Sequence, residues 1–256
     1  PILSGVQDTA MKISVSDLNG ILLKKFPGDQ VSSVDFRIRS VLVLDAGTGY
    51  TPMVYSSPIK TADVTLYGLP RLDLIGSGID QKIESALGDG NYLGYVNLDV
   101  TKPFTMKEPD AGIVYGGTNG VLAVNGTALT APGNGWSKLA VNTNDLTYSL
   151  KLYNVGLIGS ATPGQWSTDT PMVYNTQSGL WTLTLDLTAG AVKFRLNNGW
   201  DNGLNLGLGD ATHSEYTLTN LWNNGSSKDI PIAAAGNYTI KLSIGTATYS
   251  ATITKN

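Results

Sequence analysis

Short segments of this chain recur in order, and that repeat constrains the fold more than any single residue. Leu72–Ser77 (LDLIGS) returns as VGLIGS at Val155–Ser160, and Gly90–Leu98 (GNYLGYVNL) returns as GLWTLTLDL at Gly179–Leu187. Leu146–Leu150 (LTYSL) returns as ATYSA at Ala247–Ala251. The offsets grow from 83 to 89 to 101 residues, so the second copy carries the longer loops. Each copy holds about six short strand-like runs bounded by Gly, Asn, Asp and Pro clusters, the pattern of a small β-sandwich. The copies are expected at residues 63–152 and 153–256.

Residues 1–62 read differently. MKISVSDLNGILLKKF suggests a strand and then a short helix, with Ser16 as its cap, Leu18, Ile21 and Leu22 as its buried stripe, and Lys24 and Lys25 in its last turn. In SVDFRIRSVLVL, Val34, Phe36 and Ile38 alternate with Asp35, Arg37 and Arg39, which predicts one half-buried strand. MVYSSPIKTADVTLY adds strand around a proline. Three or four strands are too few for a complete sandwich. The segment is therefore expected to be the C-terminal part of an immunoglobulin- or fibronectin III-like domain, in a chain trimmed upstream of Pro1. The fold class is all-β: a partial immunoglobulin-like domain followed by two tandem small sandwiches.

Composition narrows the function. With no cysteine and one histidine, thiolate chemistry and a histidine-based zinc site have no ligands. The net charge of −3 comes without a basic patch, which argues against nucleic acid. Asp186, Asp201, Asp210, Glu215 and Asp229 are scattered over strand ends and loops and show no paired catalytic roles. His213 reads as a surface loop residue. DNGLNLGLGD lacks the spacing of a calcium loop, and turn chemistry accounts for it. No catalytic residue, metal or cofactor is expected.

Aromatic residues carry the remaining signal. Trp166, Trp200 and Trp222 all sit in polar, Gly/Asn-rich loops, whereas Trp181 (aligned with Tyr92) and Trp136 (aligned with Tyr238) read as structural strand residues. A loop tryptophan can fold onto the core, make a protein interface or face a ligand. Three in one module favour the ligand, because flat rings suit the apolar faces of sugars. In KFRLNNGW, Lys193 and Arg195 share one strand face while Phe194 points to the other, into the core. The two cations either donate to a sugar beside the indoles or are solvated charges on an outer face.

The second copy resembles the starch-binding domains of the SusE/SusF-like outer-membrane lipoproteins of Bacteroidetes. The resemblance lies in LIGSATPGQW, GLWTLTLDL, VKFRLNNGWDNGLNLG and DIPIAAAGNYTIKLSI, in that order, and the N-terminal segment is similar to the end of that family's immunoglobulin-like domain. The resemblance implies two tandem carbohydrate-binding modules in a non-enzymatic glycan-binding protein. It would sit on the extracellular face of the outer membrane, lipid-anchored upstream of this chain, with other proteins of a glycan-uptake system as partners. It also implies a maltooligosaccharide platform at Trp166, Lys193 and Trp200. Asn197, Arg195 and Asp229 are further hydrogen-bonding candidates, and Trp222 could extend the surface. Asp229 stands where the family often has Asn, which keeps an acceptor and loses a donor. The first copy has GIDQKIE and PFTMKEPD at the platform positions, without tryptophan, and is expected to be a spacer or a weak binder. The alternatives are a structural or adhesive spacer making protein contacts and, ranked below it, a glycoside hydrolase fragment.

Overall fold

The computed structural model describes residues 13–23, 25, 26, 28, 30–42, 53–245 and 248–256. They form two compact units, one of residues 1–70 and 85–89 and one of residues 71–84 and 90–256. The sequence-based boundary at residue 62 thus falls inside a strand of the first unit.

In the first unit, α1 (Val15–Leu22) is followed by β1 (Val31–Phe36), β2 (Arg39–Leu42), β3 (Met53–Ser56) and β4 (Lys60–Thr65). Ser14, not Ser16, caps the helix: its Oγ accepts from the Asp17 amide at 3.0 Å and donates to the Asp17 carboxylate at 2.6 Å. Ser14 holds the extended geometry a cap needs, whereas Ser16 already lies inside the helix. The helix ends before Lys25, so that residue does not lie in the last turn. Residues 11 and 12 of the expected first strand, and Lys24, lie outside the described residues. Leu22, Val34 and Leu66 form a small core joined by Leu18 and Phe36. The single strand expected through Arg37 and Ile38 is two. β1 pairs with β4 and β2 with β3, and the break faces Pro58, which has no N–H to give the ladder. Ile38, expected to face inward, is therefore exposed.

The second unit begins with β5 (Arg71–Ile75), β6 (Lys82–Glu84), β7 (Asn91–Leu98), β8 (Thr105–Lys107), β9 (Val114–Thr118), β10 (Val121–Val124), β11 (Gly135–Asn142) and β12 (Thr147–Leu152). These strands pair in a closed ring, β10-β12-β11-β7-β6-β5-β8-β9 and back to β10. The faces of this first module are thus joined by hydrogen bonds, which removes exposed sheet edges. Leu72, Ile83, Val96, Phe104, Met106 and Leu139 fill it.

The rest comprises β13 (Val155–Ile158), β14 (Thr170–Pro171), β15 (Val173–Asn175), β16 (Leu180–Leu187), β17 (Gly190–Leu196), β18 (Asn205–Gly207), β19 (Trp222–Asn223), β20 (Ile230–Ile232), β21 (Gly236–Ile244) and β22 (Tyr249–Lys255). One sheet has the order β14-β13-β17-β18-β19, with β20 also on β17, and the other has β15-β16-β21-β22. Leu157, Phe194 and Leu206 lie side by side across the first sheet and meet Trp181, Ile240 and Leu242 of the second in one core. Strand alternation then turns Gly156, Arg195 and Asn205 to the outer face.

Only Tyr153 and Asn154 separate β12 from β13, and this joint is tightly bonded. Asn154 Oδ1 accepts from the Trp136 amide at 2.7 Å, and the Asn154 amide donates to Asn197 Oδ1 at 2.8 Å. Tyr95 and Trp136 of the first module pack on Trp181 of the second at 5.2 and 5.6 Å between ring centroids. Trp136 and Trp181 are thus structural, but their partners lie across the joint as well as within their own modules.

Candidate functional site

The outer face of β17 is not a solvated strand face. Val192 to Leu196 are buried in succession, cations included. Lys193 is 5% exposed, and its Nζ donates to the Ser227 carbonyl at 2.9 Å. Burial lowers its pKa from the ordinary lysine value, and the negative charge of Asp229 partly opposes that shift. Arg195 donates from Nε to Asp169 Oδ1 at 2.6 Å, with both side chains nearly sealed from water. Two glycines make these arrangements possible. A Cβ at Gly156 would stand 2.7 Å from the Asp169 carboxylate, and one at Gly207 would run into the Lys228 carbonyl.

After Leu196 the chain reverses in two residues. Asn197 and Asn198 have φ of 51° and 56°, and the Gly199 amide donates back to the Leu196 carbonyl at 3.1 Å. Positive φ at both central positions is the geometry that suits asparagine and matches strand twist. The turn brings Trp200 back against the cations, with the Arg195 guanidinium carbon 4.8 Å from its ring centroid and Lys193 Nζ at 5.5 Å. Both separations suit cation–π attraction.

Trp166 comes from the loop after β13. The Gly159 amide donates to the Gln165 carbonyl at 3.0 Å, Thr162 Oγ1 donates to the Gly159 carbonyl at 2.9 Å, and the Thr168 amide donates to the Gly164 carbonyl at 3.2 Å. This knot leaves Trp166 40% exposed beside Trp200 at 37%. Their centroids are 6.3 Å apart and their planes are tilted by 40°.

The structure therefore brings together Trp166, Trp200, Lys193 and Arg195, with Asp229 near enough to act on the lysine. Asn197 is employed elsewhere. Besides accepting from Asn154, its Nδ2 donates to the Leu152 carbonyl at 2.9 Å, so both ends of its amide hold the joint between modules. Trp222 belongs to a separate aromatic group, 4.4 Å from His213 and 5.3 Å from Tyr216 by ring centroid. His213 Nδ1 lies 2.9 Å from both Asp210 Oδ1 and Thr212 Oγ1, an arrangement that ties down its loop. Asp169, Gly156 and Ser227 escaped the sequence reading. The small residue in VGLIGS was the one available sign that another side chain had to enter there.

The C-terminal module is thus a two-sheet sandwich whose outer face carries an exposed, tilted indole pair over two buried cations. Residues 154–250 match the family described as SusF/SusE starch specific CBMs, so the resemblance holds for the C-terminal module. The structure is also similar to the crystal structure of SusF from Bacteroides thetaiotaomicron, at 15% identity and a TM-score of 0.32, over 95% of this chain and 62% of that one. A comparison with curated protein sequences finds no match. No helix among the described residues is long and apolar enough to cross a membrane.

Proposed function

We propose that the C-terminal module binds starch or a maltooligosaccharide-like glycan by stacking it on Trp166 and Trp200, without chemical change to the sugar. The observation that carries this reading is the indole pair itself: open to solvent, 6.3 Å apart and tilted by 40°. Two tilted rings fit successive residues of a curved glucan better than one flat wall. Stacking supplies the apolar contact, and Arg195 and Lys193 supply cationic donors at its edge. Asp229 adds an exposed acceptor. Asp169, which touches the platform through Arg195, is already engaged in that ion pair, which supports capture over hydrolysis.

The protein then works at the outer surface of the cell, lipid-anchored and beside other proteins of a glycan-uptake system. The first module, whose corresponding segments lack tryptophan, serves as a spacer. Affinity electrophoresis in soluble starch tests the platform. Trp200→Ala, with its thermal melt preserved, removes a central aromatic anchor and should weaken binding by about 2 kcal/mol, roughly 30-fold. Undiminished retardation of a Trp166→Ala/Trp200→Ala double variant rejects the platform, and release of reducing sugar rejects the non-catalytic reading.

A further inference from the structure

The two indoles come from different loops, yet their spacing is what a shared sugar surface would depend on. We propose that Asp169 is a positioning residue that fixes this spacing through Arg195. The proposal rests on the reading of Trp166 and Trp200 as the glycan surface.

Asp169 follows the loop that carries Trp166, just past the turn closed by the Thr168 amide on the Gly164 carbonyl. Its Oδ1 accepts from Arg195 Nε at 2.6 Å. The guanidinium so held lies 4.8 Å from the centroid of Trp200. A continuous path therefore runs from one indole's loop, through a carboxylate and a guanidinium, to the other indole. The guanidinium is planar, so gripping its Nε edge also orients the face that meets the ring.

Two further observations favour positioning over simple stabilisation. The ion pair is buried, with side chains 8% and 4% exposed, and such a pair is often no more stabilising than apolar residues of the same volume. Asp169 Oδ2 is buried with no hydrogen-bond partner among the described residues, a desolvation cost that a purely stabilising group would not retain. Gly156 is shaped to the same end, since any side chain there would occupy the carboxylate's place. A platform fixed in this way loses little freedom when a glycan docks.

The test uses the full chain with Asp169→Ala, Asp169→Asn and Trp200→Ala, each checked by thermal melting. Two readouts are taken: affinity for maltoheptaose by calorimetry, and the coupled far-ultraviolet circular dichroism of the indole pair, defined as the difference between wild type and Trp200→Ala. Asp169→Ala should lose about tenfold in affinity and most of the coupled signal. Asp169→Asn, which keeps an acceptor at Nε, should fall between it and wild type. Wild-type affinity and signal in both Asp169 variants overturn the proposal, as does lost affinity with the signal intact. If Asp169→Ala does not fold, Asp169→Asn decides by the same two readouts. Should Trp200→Ala bind like wild type, the platform reading falls, while the coupled signal, which needs no sugar, still decides whether Asp169 sets the rings.

Discussion

Lys193 shows how one residue can be both cationic and buried. Its ammonium is bonded to the Ser227 carbonyl and lies beside Trp200, and desolvation depresses its pKa. A lysine whose folded pKa lies below its unfolded value disfavours folding while charged. That penalty is relieved as pH rises through the folded pKa, so this group's contribution to stability improves towards alkaline pH. On the proposed platform, where this ammonium donates to the sugar, glycan binding should move the opposite way, because the donor is lost on deprotonation. Affinity is expected to decline at a lower pH than an ordinary lysine would give. Asp229→Asn, which removes the charge that opposes the shift, should move that decline lower still. Calorimetric titrations at a series of alkaline pH values check both statements. An alkaline limb unmoved by Asp229→Asn would separate the two groups.

At the level of elements, the turn of Asn197 and Asn198 joins two jobs. It sends Trp200 over the cations, and the Asn197 amide clasps the backbone on either side of the joint, at Leu152 and Asn154. Asn197→Ala places alanine at positive φ and leaves joint groups unpaired, so a loss of about 2 kcal/mol is expected in urea unfolding. Asn197→Gly, which tolerates the φ, should recover the backbone part of that loss and not the hydrogen-bond part. The strand-turn-tryptophan order of KFRLNNGW was legible in the sequence because alternation and an Asn-rich turn are local signals. The burial of Lys193 and Arg195 was not. It depends on Asp169 and Ser227, which lie 24 residues before Lys193 and 34 after it and carry no mark in their own neighbourhoods. Likewise Asn197 reads as a sugar donor in sequence because the backbone it serves, at Leu152 to Asn154, is distant along the chain. Ser14 was missed for a nearer reason: the Ser-x-x-Asp signature at 14–17 is a better cap than the serine two positions on.

Across the second unit, two hydrophobic clusters meet at the joint between β12 and β13. Trp181 is fully buried in the C-terminal core, yet part of its cover is Tyr95 and Trp136 from the preceding module. Both partners sit edge-on, at 5.2 and 5.6 Å, an arrangement that typically adds about 1 kcal/mol each beyond the area they bury. A tryptophan sealed by its neighbour's rings makes the C-terminal module's stability conditional on the first module. The first module is therefore expected to act as a structural brace for the second. Residues 71–84 and 90–256 should accordingly unfold in one calorimetric transition, with equal calorimetric and van't Hoff enthalpies for that transition. Trp136→Ala strips one wall from Trp181 and should cost about 3 kcal/mol. It should also split the transition in two, the C-terminal module melting first. A single transition that merely shifts in Trp136→Ala would place the coupling elsewhere along the joint, and two transitions in the unaltered protein would show that the modules fold independently.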